Sequence, residues 1–143
     1  MVEIRQLTIG NYEELISLWE RAGLQYKPRG RDSREALQAE MEQSPDLHLG
    51  AFQGRDLIGS IIASFDGRKG WINRLAVDPA YRRKGIATLL VQAAEQVLQR
   101  RGARVIGALI FSTNTPSLRL FEEMEYQKGE DNIYVSKREN TES

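Results

Sequence analysis

The chain of 143 residues has no cysteine, one histidine and four prolines, and its 20 lysines and arginines are matched by 20 aspartates and glutamates. Each scarcity excludes a class of chemistry. Without cysteine there is no disulfide framework, no thiolate metal site and no cysteine nucleophile. A lone histidine, His48, supplies neither a histidine-rich metal centre nor a histidine-based triad, so no metal is expected. Zero formal charge argues against nucleic acid or a membrane surface as a general partner. The opening residues MVEIRQLTIG lack the basic start and long apolar run of a signal peptide. No apolar stretch approaches the ~20 residues of a membrane helix. The expectation is a cytoplasmic protein.

What is present reads as one domain, 1–143, with no repeat and no Pro/Gly/Ser-rich linker. Val2 to Leu7 alternates as a strand. Asn11 followed by Glu14 suggests a capping box at a helix start, and Leu15, Ile16, Leu18, Trp19 and Ala22 form the stripe of that helix, ending at Gly23. Asp32 or Ser33 caps a second helix to about Gln43, with Leu37 and Met41 inward. Leu47 to Phe52, Leu57 to Phe65 and Trp71 to Val77 are strands, separated by turns at 53–56 and 66–70. Ile86 to Arg101 is the clearest helix, its inner face Ile86, Leu89, Leu90, Ala93, Val97 and Leu98. Arg104 to Phe111 is a buried-type strand. Thr115, with Pro116 at the first helical position, starts a helix to about Met124. Tyr126–Lys128 and Ile133–Lys137 suggest a last hairpin around Gly129. The fold class is α/β: a mixed, mostly antiparallel sheet with helices on both faces. The strand–helix–strand run from Trp71 to Phe111 requires a crossover, which makes one pair parallel.

The chemistry is concentrated between Leu75 and Leu90. A strand ends at Val77, a short loop carries Arg82, Arg83 and Lys84, and a long helix opens at Gly85. Amides in a helix's first turn have no intrahelical acceptor, and with the helix dipole they attract an anion. Gly85 and Ala87 are small enough for a phosphate to approach the main chain. The pattern describes a seat for a diphosphate, the alternative being a solvated basic loop with Gly85 as its turn residue. It is neither a GxxxxGK[ST] loop nor a GxGxxG fingerprint.

Arg82-x-x-Gly85-x-Ala87 resembles the Q/R-x-x-G-x-G/A pattern of the GNAT superfamily of N-acetyltransferases. Leu75-Ala-Val-Asp-Pro before it and Thr88-Leu-Leu after it are similar too, as is Asn114-x-x-Ser117-Leu-x-Leu-Phe-Glu-Glu-Met-x-Tyr126 downstream. The element order matches along almost the whole chain. Leu18-Trp19-Glu20-Arg21 and the Asp66-Gly67 turn resemble a bacterial branch of small stand-alone members.

The resemblance implies acetyl-CoA as co-substrate and an amine acceptor. It implies that the amides of Arg83, Lys84, Gly85, Ile86, Ala87 and Thr88 bind the CoA pyrophosphate, and that main-chain groups of Leu75 and Val77 pair with the pantetheine amides. Those groups lie where the strands flanking the long helix splay apart. Asn114 and Ser117 would contact the distal cofactor. The expected reaction is direct attack of a primary amine on the thioester in a ternary complex; the alternative is a catalytically silent acyl-CoA sensor or interaction module. Two positions depart from the family pattern. Phe121 stands where the family's usual acid, a tyrosine, is found. Glu125 stands where a glycine is usual. Tyr126 and Tyr134 read as packed strand aromatics, Asp66, Asn73 and Glu122 as candidates for orienting amine or water, and His48 as a strand residue facing solvent or a neighbouring chain. No catalytic acid or base is assigned, and both a monomer and a homodimer stay open.

Overall fold

The computed structural model describes residues 1–143. Five strands form one sheet in the order β1 (Val2–Gln6), β2 (His48–Gln53), β3 (Asp56–Phe65), β4 (Gly70–Val77) and β5 (Ile106–Ala108). The first four run antiparallel, and β5 lies parallel to β4. The crossover between β4 and β5 is α3 (Ile86–Arg100). Helices α1 (Tyr12–Ala22) and α2 (Arg34–Gln43) precede β2, and α4 (Thr115–Glu123) follows β5. No helix is long and apolar enough to cross a membrane.

Helices on both faces give two cores. Leu49, Ala51, Ile61 and Ile72 of the sheet meet Leu90, Val91 and Leu98 of α3 and Phe121 of α4. On the other face, Phe52, Leu57, Ile62 and Ala76 meet Leu15, Leu18 and Trp19 of α1 and Leu37 and Met41 of α2. Trp19 is fully buried, and its indole N–H donates to the buried Ser60 hydroxyl at 3.1 Å, which satisfies the one polar atom of the ring. Gly70 lets α3 close on β4: a Cβ there would stand 2.7 Å from Leu98 Cδ1.

Several local expectations shift. The α3 stripe is rotated: Leu89 is 45 % exposed, while Val91 and Ala94 are buried. The helix crosses both β3 and β4, so tertiary contact selects a face slightly off the pattern's own centre. The turn before α1 closes one step earlier than expected, with Asn11 Oδ1 accepting from the Thr8 amide at 2.9 Å. For α2, Ser33 is the cap, accepting from Ala36 N at 3.2 Å. His48 does not face solvent; it is 2 % exposed, with Nδ1 2.9 Å from the Ser44 carbonyl.

Two larger departures concern the end of the sheet. Strand β5 covers only Ile106–Ala108, because a bulge in β4 carries that strand away from it. The final hairpin does not form: residues 124–143 hold neither helix nor strand. Its first arm is already engaged. The α4 helix ends with Tyr126 N donating to the Phe121 carbonyl at 2.8 Å and Glu125 N to the Glu122 carbonyl at 3.0 Å. The Tyr126 ring meets Phe121 edge-on at 4.9 Å. A lone second arm has no partner, and isolated hairpins are marginal. Ile133 and Val135 stay exposed, and the tail instead returns to the α1–α2 loop, where Lys27 Nζ donates to the Thr141 carbonyl at 3.1 Å.

That helix end holds Glu125 at φ 71°, a left-handed conformation that costs a non-glycine residue ~1–2 kcal/mol. Glu125→Gly is therefore expected to stabilise the protein by about 1 kcal/mol after glycine's extra chain entropy is counted. In a thermal melt that is a rise of about 2–4 °C. An unchanged or lower midpoint would count against the strain.

Candidate functional site

The site is built where β4 leaves its neighbour. Opposite β3, Ile62 pairs with Arg74 and Ala63 with Ile72, so Asn73 is an extra residue in β4. A bulge of this kind bends and twists the strand. Before it, Gly70–Ile72 pair with Ile106–Ala108; beyond it, β4 makes no further pairs with β5. The far edge of Asn73–Val77 is thereby open. Leu75 and Val77 lie on it half-buried, against the α3-side core. An open edge next to a core offers main-chain donors and acceptors to whatever lies in the gap.

At the end of that edge stands the N-terminus of α3. Asp78 turns the chain: its Oδ1 accepts from Ala80 N at 2.9 Å, and its Oδ2 accepts from Arg21 Nε at 3.0 Å. A short 3-10 turn, Pro79–Tyr81, follows. Arg83 (φ 65°) and Gly85 (φ 77°) are both left-handed, and backbone that alternates in this way gathers successive N–H groups into an anion-binding concavity. The first α3 amide with a protein acceptor is Leu89, which donates to the Gly85 carbonyl at 3.1 Å. The amides of Ile86, Ala87 and Thr88 lie ahead of it without an intrahelical acceptor. Space above Gly85 is open, since a Cβ there would meet nothing within 4 Å.

The three cations of this loop do not act alike. Arg82 Nη2 donates to the Ala22 carbonyl at 3.2 Å and so ties the loop to α1. Lys84 Nζ stands 5.3 Å from the Tyr81 ring centre. The exposed Arg83 makes no side-chain hydrogen bond or ion pair. Asn114 and Ser117 form a second group at the start of α4. Asn114, rather than Thr115, is the cap, its Oδ1 accepting from Ser117 N at 3.3 Å, and Pro116 is thus the second helical residue.

The groups that could move protons are mostly occupied. Phe121 is buried among the α3-side core residues. Tyr126 donates to Glu95 Oε2 at 2.7 Å, and burial, reinforced by that hydrogen bond, pushes its pKa well above the ordinary phenol value; it is a poor acid. Tyr134 is exposed rather than packed. Asn73 donates to Ser64 Oγ at 2.9 Å, and Glu122 is exposed. No group of three or more His, Cys, Asp or Glu side chains is placed to hold a metal.

Asp66 belongs to the β3–β4 turn. Its Oδ1 accepts from the Arg68 and Lys69 amides at 2.8 and 2.7 Å, and its Oδ2 accepts from Trp71 Nε1 at 3.2 Å. These bonds, the Lys69 amide foremost, hold its pKa below the usual carboxylate value. The sign follows from linkage: a depressed native pKa stabilises above the unfolded value of ~3.9, and that stabilisation is lost as pH falls through the native value. Asp66→Asn is expected to be less stable than the wild type at pH 7, with the difference shrinking as pH falls below ~3.9 through the native value. A difference that persists undiminished in acid urea titrations would exclude the carboxylate's charge as its source.

One element carried no signal in the sequence. Arg74, the residue after the bulge, donates from Nη2 to Asp32 Oδ2 at 2.6 Å and from Nη1 to the Gln25 carbonyl at 2.6 Å. Its guanidinium lies 5.0 Å from the Trp19 ring centre. Asp32 Oδ2 also accepts from Lys27 N at 2.7 Å. Burial lowers the Arg74 pKa, and the Asp32 charge opposes that shift. The pair fastens the loop between α1 and α2 onto β4 beside the opening. In the sequence the two are only an aspartate and an arginine 42 positions apart, which no spacing rule joins.

The family model described as the acetyltransferase (GNAT) family matches residues 12–126. An acetyltransferase of Sodalis glossinidius is 32% identical over 96% of this chain and 95% of its own. One from Photorhabdus laumondii is also 32% identical, with the same coverage of both chains. Among solved structures, the PaiA N-acetyltransferase of Thermoplasma acidophilum in complex with coenzyme A is 25% identical, covers 87% of this chain and 88% of its own, and superposes with a TM-score of 0.75. The enzyme AAC(6')-Iy in complex with a CoA–acetylneamine bisubstrate analogue shares the fold at 21% identity, covering 96% of this chain and 99% of its own, with a TM-score of 0.78.

Proposed function

The chain belongs to the acetyltransferase (GNAT) family, and from that premise we propose that it transfers the acetyl group of acetyl-CoA to a primary amine by direct attack in a ternary complex. The observation that carries this reading is the run of α3 amides without acceptors, Ile86 to Thr88, beside the open edge of β4. The amides of Arg83 to Thr88 hold the pyrophosphate, with the Arg83 and Lys84 side chains adding positive charge. Leu75 and Val77 offer main-chain groups to the pantetheine arm. From Val77 back to Asn73 is about 13 Å of strand, which brings an extended arm to the bulge. Asn114 and Ser117 would take the distal end of the cofactor.

In the reaction, the neutral amine nitrogen attacks the thioester carbonyl. The C–N bond forms, the C–S bond breaks, the CoA thiolate leaves, and the amine proton passes to water or to the thiolate. The enzyme's share is alignment and stabilisation of the oxyanion by a main-chain N–H near Val77. A thiol with a pKa of roughly 8.5 leaves near neutrality without a strong acid, which suits a site with Phe121 in place of a tyrosine. The amine is the harder problem. At pH 7 a lysine-type amine costs ~4.6 kcal/mol to deprotonate, and an α-amine about 1.4 kcal/mol.

The buried Phe121 and the occupied Tyr126 hydroxyl favour one second reading, a silent acyl-CoA sensor. Titration calorimetry with acetyl-CoA, followed by thiol release over a panel of amines, separates the two. Binding with turnover supports the transferase, binding with no turnover on any amine supports the sensor, and no binding at millimolar acetyl-CoA removes both.

A further inference from the structure

We propose that the acceptor is a small amine carrying a carboxylate, held by cations of the α1–α2 loop and of the chain's last residues. This rests on the transferase reading above and names the acceptor class for the same site.

The position comes first. Arg74 fastens both Gln25 and Asp32 to β4 one residue past the bulge, so the loop between them is anchored on the α1 face of β4 where its open edge begins. A cavity of about 500 Å³ lies between this loop and the tail, with Gly30 and Arg31 on one side and Tyr134, Ser136, Lys137 and Arg138 on the other. That is the size of a small-molecule site, and it opens widely to solvent.

Charge comes second. The chain as a whole is neutral, yet the loop places Lys27, Arg29 and Arg31 within five positions. Its single acid, Asp32, is buried and held by Arg74, by the Lys27 amide and, at 4.0 Å, by Arg31. In the cavity wall Arg31, Lys137 and Arg138 face one acid, Glu139. These cations already gather oxygen acceptors from the chain itself. Arg29 Nη2 is 3.2 Å from Glu142 Oε1, and Arg138 Nη1 donates to the Ser143 carbonyl at 2.9 Å. A carboxylate is thus seated at the rim by the same chemistry that would hold a substrate's.

The same cations bear on reactivity. Positive charge near an ammonium favours its neutral form, and the neutral amine is the nucleophile. No base has been found to remove that proton. A basic vestibule thus attracts the carboxylate and eases deprotonation of the amine it carries. A polyamine or an aminoglycoside, with further positive charges and no carboxylate, would be repelled by the same cations.

The test is thiol release at low salt with α-amino acids, their carboxamides, spermidine and neamine, on the wild type and on an Arg31→Glu/Lys137→Glu double variant. For the wild type, kcat/KM for the free acids is expected to exceed that for the matched carboxamides by about tenfold or more, mainly through KM. The ratio should shrink at high salt and fall to about one, or invert, in the double variant, with acetyl-CoA affinity unchanged. Both substituted residues are exposed, so the melting temperature checks that folding is intact. A wild-type preference for carboxamides or spermidine overturns the proposal. So does a ratio indifferent to charge reversal, or no turnover of any free acid by a protein that still binds acetyl-CoA. Loss of acetyl-CoA binding by the wild type would instead strike the transferase reading.

Discussion

Gly85→Glu should weaken acetyl-CoA binding by about a hundredfold or more, on the scale of losing several charge-assisted hydrogen bonds, while the protein stays folded. The substituted carboxylate would stand at the first turn of α3, where, on the proposed reading, it takes the amides that would hold phosphate and repels the phosphates that remain. The fold tolerates the change because a Cβ at this position meets nothing within 4 Å. The left-handed backbone adds a cost of ~1–2 kcal/mol, of the kind that Arg83 at φ 65° and Glu125 at φ 71° already bear. A Gly85→Ala variant separates strain from charge: it carries the same backbone cost and should retain most of the affinity. Calorimetry alongside circular-dichroism melting reads both effects. Unchanged affinity in the glutamate variant would move the pyrophosphate away from α3.

Arg74→Ala should destabilise the protein by about 3–5 kcal/mol, the cost of leaving a buried charge without its partner. Asp32 is 3 % exposed and would keep only the Lys27 amide and the looser Arg31 guanidinium, 4.0 Å away. The Gln25 carbonyl and the Trp19 ring lose their contact as well. An Asp32→Asn/Arg74→Met double variant removes the charge from both sides, and a matched apolar or neutral replacement of a buried pair is often near neutral. Urea denaturation of the single and double variants forms the comparison. If the double variant loses as much as Arg74→Ala, the loss comes from packing around Arg74 and not from the unpaired carboxylate.

The sequence was most legible where structure is set by neighbours in the chain. Gly85 at a left-handed turn, Ser33 as a cap, and the strand–loop–helix from Leu75 to Leu90 each follow from local backbone chemistry. The antiparallel meander from His48 to Val77 follows from alternation and turn residues. What stayed hidden depends on partners far along the chain. The Asp32–Arg74 pair joins two loop-and-strand positions that only the folded sheet brings together. His48 is buried because α2 and the Pro45–Leu47 turn cover it, and nothing in its own strand marks that. The last hairpin was read from apolar runs and Gly129, but Tyr126 was claimed first by the end of α4. For the candidate site, the left-handed loop at Gly85 and the α3 amides without acceptors were foreshadowed by a pattern of small and basic residues. That Arg31 and Lys137 line one groove was not, because only the returning tail brings them to it.

Asn73 has a consequence for the sheet as a whole. Ile72 faces the α3 side, Arg74 and Ala76 the α1 side, and Leu75 and Val77 the α3 side again. If Asn73 were cut out, every one of these residues would keep its face, since Ile72 and Arg74 would simply alternate. The shortened strand could then run straight on alongside β5 and zip the cleft shut, with more ladder bonds and no lost burial. The opening thus begins at a single surplus residue, at the point where the β4–β5 ladder stops.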